Sequence, residues 1–304
     1  DGITNTSNII ANVIINVAQA PQIPGGDDSN NTGGSGSQNG NIPQTPGTGK
    51  TDTTDTKDTS DKETEAEPEP LKIRLIQEDN TTTALISGSP MTDNGKAEIS
   101  ISDGQMEALQ SELEKIKSDF IMDIFVETAS DIKEVLVQIS ANAFEMIAES
   151  KSNGVRISTS VGTITFDKNA TESINSKADN DINIKIAIVD TSELSGDLRK
   201  TIGDKPVLSL SIEAGNKDIT SFNGGTAYME IPYTLKYGED SSSIVIYYID
   251  NEGNLNTIKA SGYDSERKVA KFAVSHFSMY AVGYNPVDFN DINKAISEDN
   301  FKRL

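Results

Sequence analysis

The chain has 304 residues, a formal net charge of −21, and neither cysteine nor tryptophan. The missing cysteines exclude disulfides, thiolate metal sites, thiol nucleophiles and iron–sulfur clusters. The acidic balance, with no clustered Lys or Arg, excludes nucleic acid and anionic lipid as partners, and no apolar run approaches the roughly 18 residues of a membrane span.

Residues 1–23 hold one apolar stretch, Asn8 to Ala18 (NIIANVIINVA), which reads as a single strand or short helix with no local partner. It is expected to be the remnant of a preceding segment, the chain itself being a piece of a longer polypeptide. Residues 24–70 follow as a linker. Its first half is a Gly/Ser/Asn coil and its second half a Thr/Asp/Glu tract kept extended by self-repulsion. With almost nothing apolar to bury, ordering entropy prevails, and the segment is expected to be disordered. Within it Pro46-Gly47-Thr48-Gly49-Lys50-Thr51 resembles the end of a phosphate-binding loop. The full signature needs a glycine five residues before Gly49, where Gln44 stands. It also needs a strand before and a helix after, so that backbone amides converge on phosphate. Nucleotide binding is therefore not expected.

From Leu71 the pattern becomes structured, and Leu71–Ile76 alternates as a strand does. Residues 71–205 then repeat a unit three times: a strand ending in an apolar residue, a polar corner, a short helical turn and a return strand. The strand ends are Ile101, Ile139 and Phe166, and the polar corners begin with Ser102, Ser140 and Asp167. Those three are natural helix N-caps, since a side-chain oxygen can accept from a free N–H of the first turn. The return strands are read at 120–126, 155–161 and 182–189. Each unit places a glutamate six residues past its strand end (Glu107, Glu145, Glu172) and an apolar residue eight past it (Leu109, Ile147, Ile174). Glutamate near a helix start is favoured by the dipole and by capping. That explanation outweighs a metal or acid–base role for the three.

Residues 206–284 read as hairpins, with β-branched and aromatic runs broken at Gly215–Asp218, Tyr237–Asp240 and Asn251–Asn254. Asp250–Asn254 lightly resembles a calcium loop but lacks the alternating oxygen ligands and the distal bidentate glutamate. A hairpin turn is expected there. Tyr228, Tyr233, Tyr247, Tyr248, Phe272, Phe277 and Tyr280 are expected mainly in the core or in cross-strand pairs. A row of exposed tyrosines on one face would instead make a carbohydrate platform. His276 is the sole histidine. It has no nucleophile elbow nearby, so packing or a turn contact is expected of it. Residues 285–304 form a tail that reads as a short amphipathic helix.

The stretch from Thr226 to Asn285 resembles the module that precedes S-layer-homology repeats in clostridial and related Gram-positive surface proteins. The marks are Ile231-Pro232-Tyr233-Thr234-Leu235, Tyr247-Tyr248-Ile249-Asp250, Gly253-Asn254 and His276-Phe277-Ser278-Met279-Tyr280-Ala281-Val282-Gly283. Upstream segments extend the likeness to about residue 96. Val287–Ile292 resembles the opening of one such repeat, without the helix signature that follows it.

The fold expected is therefore mainly β: an antiparallel, sandwich-like body with short corner helices behind a long disordered linker. Its parts, 71–205 and 206–284, either share one core or stand apart. The resemblance implies an extracellular, cell-wall location and a non-catalytic spacer role. The implied partners are other domains of the same surface protein, with cell-wall polysaccharide reached through neighbouring repeats. A carbohydrate- or protein-binding surface module is the alternative, and part of an extracellular glycoside hydrolase a weaker one. No residue is assigned a catalytic, cofactor-binding or metal-binding role, and no cofactor is implied.

Overall fold

The computed structural model describes residues 71–78 and 81–286, together with a two-residue strand at Ile15–Asn16. The expectations for the linker 24–70, the loop at Pro46–Thr51 and the tail from residue 287 onward lie outside the described residues, as does most of residues 1–23.

In chain order the strands begin with β1 (Ile15–Asn16), β2 (Lys72–Glu78), β3 (Thr81–Gly88), β4 (Met91–Asp93) and β5 (Lys96–Ile101). Helix α1 (Asp103–Leu113) leads to β6 (Phe120–Val126) and β7 (Glu134–Ile139), and α2 (Ala141–Glu149) to β8 (Ser152–Ser158) and β9 (Thr163–Asp167). After α3 (Lys168–Lys177) come β10 (Ile182–Ile188), α4 (Gly196–Ile202), β11 (Val207–Ala214), β12 (Lys217–Asp218) and β13 (Ala227–Pro232). The last strands are β14 (Ile244–Ile249), β15 (Leu255–Thr257), β16 (Ser261–Asp264), β17 (Val269–Val274) and β18 (Met279–Tyr284).

The strands form two sheets of nine. The first runs β1-β2-β3-β6-β8-β9-β13-β17-β16; the second runs β15-β14-β18-β11-β10-β7-β5-β4, with β12 folded back onto β11. The body is thus mainly β and sandwich-like. Alternation along the strands accounts for the packing, because successive side chains point to opposite faces. In β10, Ile182, Ile184 and Ile186 are buried while Asn183, Lys185 and Ala187 are half-buried. One apolar cluster runs across both halves of the chain: Ile73, Ile124, Ile147 and Phe166 belong to it with Leu210, Met229, Ile246 and Tyr280.

Three neighbouring pairs, β3–β6, β6–β8 and β5–β7, run parallel within the otherwise antiparallel sheets. The repeated units explain the latter two. Each unit starts in one sheet and ends in the other. Equivalent strands of the first two units, β5 with β7 and β6 with β8, therefore lie side by side and point the same way. The third unit runs in reverse, from β9 in the first sheet to β10 in the second. The helices make these crossovers, with α1 beside α2 and α2 beside α3.

The caps hold the crossovers in place. Ser102 Oγ accepts from Gln105 N at 3.3 Å while Gln105 Oε1 accepts from Ser102 N at 2.9 Å, a complete capping box. Ser140 caps α2 and Asp167 caps α3. The cap residues also tie neighbouring units together. Asp103, at the start of α1, accepts from Ser140 Oγ and from Asn142 Nδ2, and Asp181 accepts from Ala141 N. The Ser140 hydroxyl, then the Asn142 amide, hold the Asp103 carboxyl below its ordinary range.

Helix α4 lies away from the main core. Leu198 and Ile202 pack with Val207, Ile249 and Ala281 in a small second cluster. The neighbouring residues Leu208, Tyr280 and Val282 face the main core instead, so α4 covers the opposite face of the second sheet.

Candidate functional site

Glu107, Glu145 and Glu172 are all exposed on their helices, while Leu109, Ile147 and Ile174 are buried. The repeat therefore directs its apolar member inward and its glutamate to solvent. Among the described residues no group of three or more His, Asp or Glu is arranged to hold a metal ion.

The Asp250 loop is a hairpin turn between β14 and β15. Asp250 Oδ1 accepts from Glu252 N at 3.0 Å and Asn254 N at 2.8 Å. Its Oδ2 accepts from Asn254 Nδ2 at 3.0 Å and Asn256 Nδ2 at 3.3 Å. Gly253 supplies the positive φ of 81° that the turn requires. The Asn254 N–H is the main reason the Asp250 carboxyl sits below its ordinary range. Both oxygens are committed to the loop itself.

A second polar cluster surrounds Glu239, in the turn after β13. Glu239 Oε2 accepts from the Tyr233 hydroxyl at 2.5 Å and from Lys236 N at 2.9 Å. Its Oε1 faces Lys205 Nζ at 3.2 Å, and the two side chains are only 8% and 14% exposed. Lys205 also lies 5.9 Å above the Tyr284 ring. The Tyr284 hydroxyl donates to the Gly238 carbonyl at 3.3 Å, and the Tyr263 hydroxyl donates to the Tyr233 carbonyl at 2.8 Å. Burial pushes the Glu239 carboxyl up, but Tyr233, the Lys236 N–H and Lys205 outweigh it and hold the group low. Burial, then Glu239, push the Tyr233 phenol up.

A second buried carboxylate, Asp123 on β6, accepts from Ser158 Oγ at 2.8 Å and lies 3.6 Å from the Arg156 guanidinium. Burial pushes its carboxyl up against those two partners. Nothing in the run FIMDIFV announces it, because its partners stand more than thirty residues away.

His276 sits between β17 and β18, where its backbone bridges Ser221. Its ring meets Tyr248 edge-on, with centroids 4.9 Å apart. Its carbonyl accepts from the fully buried Tyr280 hydroxyl at 2.6 Å. Phe277 joins Phe166 and Phe222 in an edge-to-face trio. Of the tyrosines, Tyr233 and Tyr280 are buried; Tyr247, Tyr248, Tyr263 and Tyr284 are half-buried; and Tyr228 and Tyr237 are exposed. Tyr228 is on strand β13 and Tyr237 is in the following turn, so the exposed pair forms no row on a sheet face.

Depressions open on the surface of the described residues. One of about 310 Å³ lies between α1 and α2, with Met106, Leu113 and Phe120 below and Glu114, Glu149 and Lys151 at its rim. One of about 480 Å³ lies beside Tyr228. Another, of about 390 Å³, includes His276 and Tyr248.

Comparison of the chain with protein-family models yields no match, and comparison with curated proteins yields none either.

Proposed function

We propose that this chain is a non-catalytic structural module of a bacterial cell-surface protein, a spacer that connects or presents other domains at the cell wall. The observation that supports this reading most is the fate of the recurring sequence marks. The Tyr233 hydroxyl is spent on Glu239, the Asp250 carboxylate on its own hairpin, and the Tyr280 hydroxyl on the His276 carbonyl. Groups that a reaction would draw on are thus engaged in holding turns and sheet ends. The strongly acidic, cysteine-free composition suits an extracellular surface that repels other anionic polymers.

The reading is tested by replacement. Residues 71–286 are exchanged, within the parent surface protein, for an unrelated rigid domain of similar end-to-end length. A spacer predicts that the display and activity of the flanking domains survive this exchange and fail when the segment is simply deleted. Loss of function that the length-matched domain does not restore would contradict a spacer role.

A further inference from the structure

The strand register places the entry and the exit of the chain at one end of the sheets. Helices α1, α2 and α3 follow the C-terminal ends of β5, β7 and β9, which lie at a common end. Strand β6 begins at that end, after α1, and β3 runs parallel to it with Thr82 opposite Phe120. Strand β2 runs antiparallel to β3 with Lys72 opposite Ser87, so the chain enters at the far end from the helices. In the second sheet Ala214, the last residue of β11, lies opposite Ile182, the first of β10 and next to α3. Strand β18 runs antiparallel to β11. Tyr284 therefore also lies at the far end, and the chain leaves where it entered.

Sideways, the two points are well separated. The order β6-β8-β9 in the first sheet matches β5-β7-β10 in the second. Strand β2 lies outside β6 on one flank, and β18 lies beyond β10 on the other. Tension between residues 71 and 286 thus acts across the strands and not along them. The two anchors are also unequal. Strand β18 is held over six residues by β14 on one side and over three by β11 on the other, and Tyr280 to Gly283 are buried. Strand β2 is held over seven residues by β3 and over only two by β1. Leu71 and Ile73 at its entry are buried, while Arg74 to Gln77 are exposed or half-buried. In an antiparallel pair the hydrogen bonds lie perpendicular to the strands. A force across the strands at one end falls on one bonded pair at a time, whereas a force along them is shared by all.

We propose that β2 is the strand at which the body yields to tension. A pull between residues 71 and 286 peels β2 from β3, draws out Leu71 and Ile73, and opens the shared interior from that edge at low force. This device follows from the topology and does not rest on the spacer reading, so the domain exchange described above and the pulling experiment below fail independently.

The lack of native cysteine allows handles to be placed by paired cysteine substitutions in the full chain. Lys72→Cys with Pro286→Cys applies tension across the strands. Lys72→Cys with Asp119→Cys applies it along them, because Asp119 precedes β6 at the helix end, near the C-terminal end of β2. All three positions are exposed. At equal pulling speed the first pair should rupture at about half the force of the second or less, because its bonds break singly and not together. A second comparison locates where rupture starts. Ile73→Val and Ile184→Val each trim a buried side chain and should lower stability in urea alike. With the first pair of handles Ile73→Val should lower the rupture force and Ile184→Val should leave it unchanged, because Ile184 keeps its contacts while β2 detaches. Equal rupture forces in the two geometries, or an effect of Ile73→Val no larger than that of Ile184→Val, would overturn the proposal.

Discussion

Replacing Glu239 by Gln removes one charge from the most enclosed ion pair of the body and keeps the shape of the side chain. The amide can still accept from Tyr233 and Lys236, but Lys205 loses its counter-charge while only 14% exposed. Breaking a buried pair by removing one partner costs about 3–5 kcal/mol. The residual solvent contact of Lys205 and its position over the Tyr284 ring reduce this, so we expect a loss of about 2–3 kcal/mol. For a body of this size that corresponds to a fall in Tm of about 4–12 °C. The effect has a pH signature. The folded carboxyl titrates below its unfolded value, so its stabilising contribution is complete above the ordinary carboxylate range and disappears as pH falls through the folded value. Wild type and Glu239→Gln should therefore differ most at neutral pH and converge on acidification. Urea unfolding followed by circular dichroism between pH 7 and strongly acid conditions measures both quantities. Adding Lys205→Met to Glu239→Gln should cost little more, because the stranded charge leaves with the lysine. A neutral-pH loss under about 0.5 kcal/mol, or a gap that does not change with pH, would refute this account of the cluster.

Three further substitutions probe the scaffold. Gly225 lies against the first turn of α3, where an added Cβ would come within 2.2 Å of Ala170 N and 2.4 Å of its Cα. Backbone must move, so Gly225→Ala should cost about 3 kcal/mol or more in chemical denaturation. Ser173 Oγ is buried with no hydrogen-bond partner among the described residues. Ser173→Ala should therefore stabilise by about 1 kcal/mol, through relief of the orphaned hydroxyl and a better helix former; a loss of stability would show that the hydroxyl has a partner. The repeat makes a paired test. Ile174→Ala should cost about 2–5 kcal/mol, and Glu172→Gln less than about 0.5 kcal/mol. A large effect from the glutamate would point to a role beyond the solvated helix face.

Much of this scaffold is legible in the chain because its signals are local. Ser102, Ser140 and Asp167 announce three helix starts through capping chemistry alone, and the return strand read at 120–126 matches β6 residue for residue. The helices are longer than the short turns read from the sequence, since α1 runs 11 residues. Their length follows from buried residues at Met106, Leu109 and Leu113, spaced to face the core. What alternation does not encode is the identity of a strand's neighbour. It specifies which face is apolar, so the parallel pairs and the crossing of each unit between sheets are not readable from it. Strand β8 begins at Ser152, three residues before the first apolar residue read as strand. Its buried hydroxyl accepts from Met122 N at 3.2 Å, a contact reaching thirty residues back. The edge-on contact of His276 with Tyr248 is illegible for the same reason, because the two stand far apart in the chain.

The proposed spacer role requires the body to bear load as one unit, and the shared interior that joins residues 71–205 to 206–284 meets that requirement. Single-molecule extension, with handles at residues 71 and 286, measures that directly. The account predicts one cooperative rupture that releases roughly 700–800 Å of chain. Two separate ruptures, dividing the released length near residue 205, would contradict it.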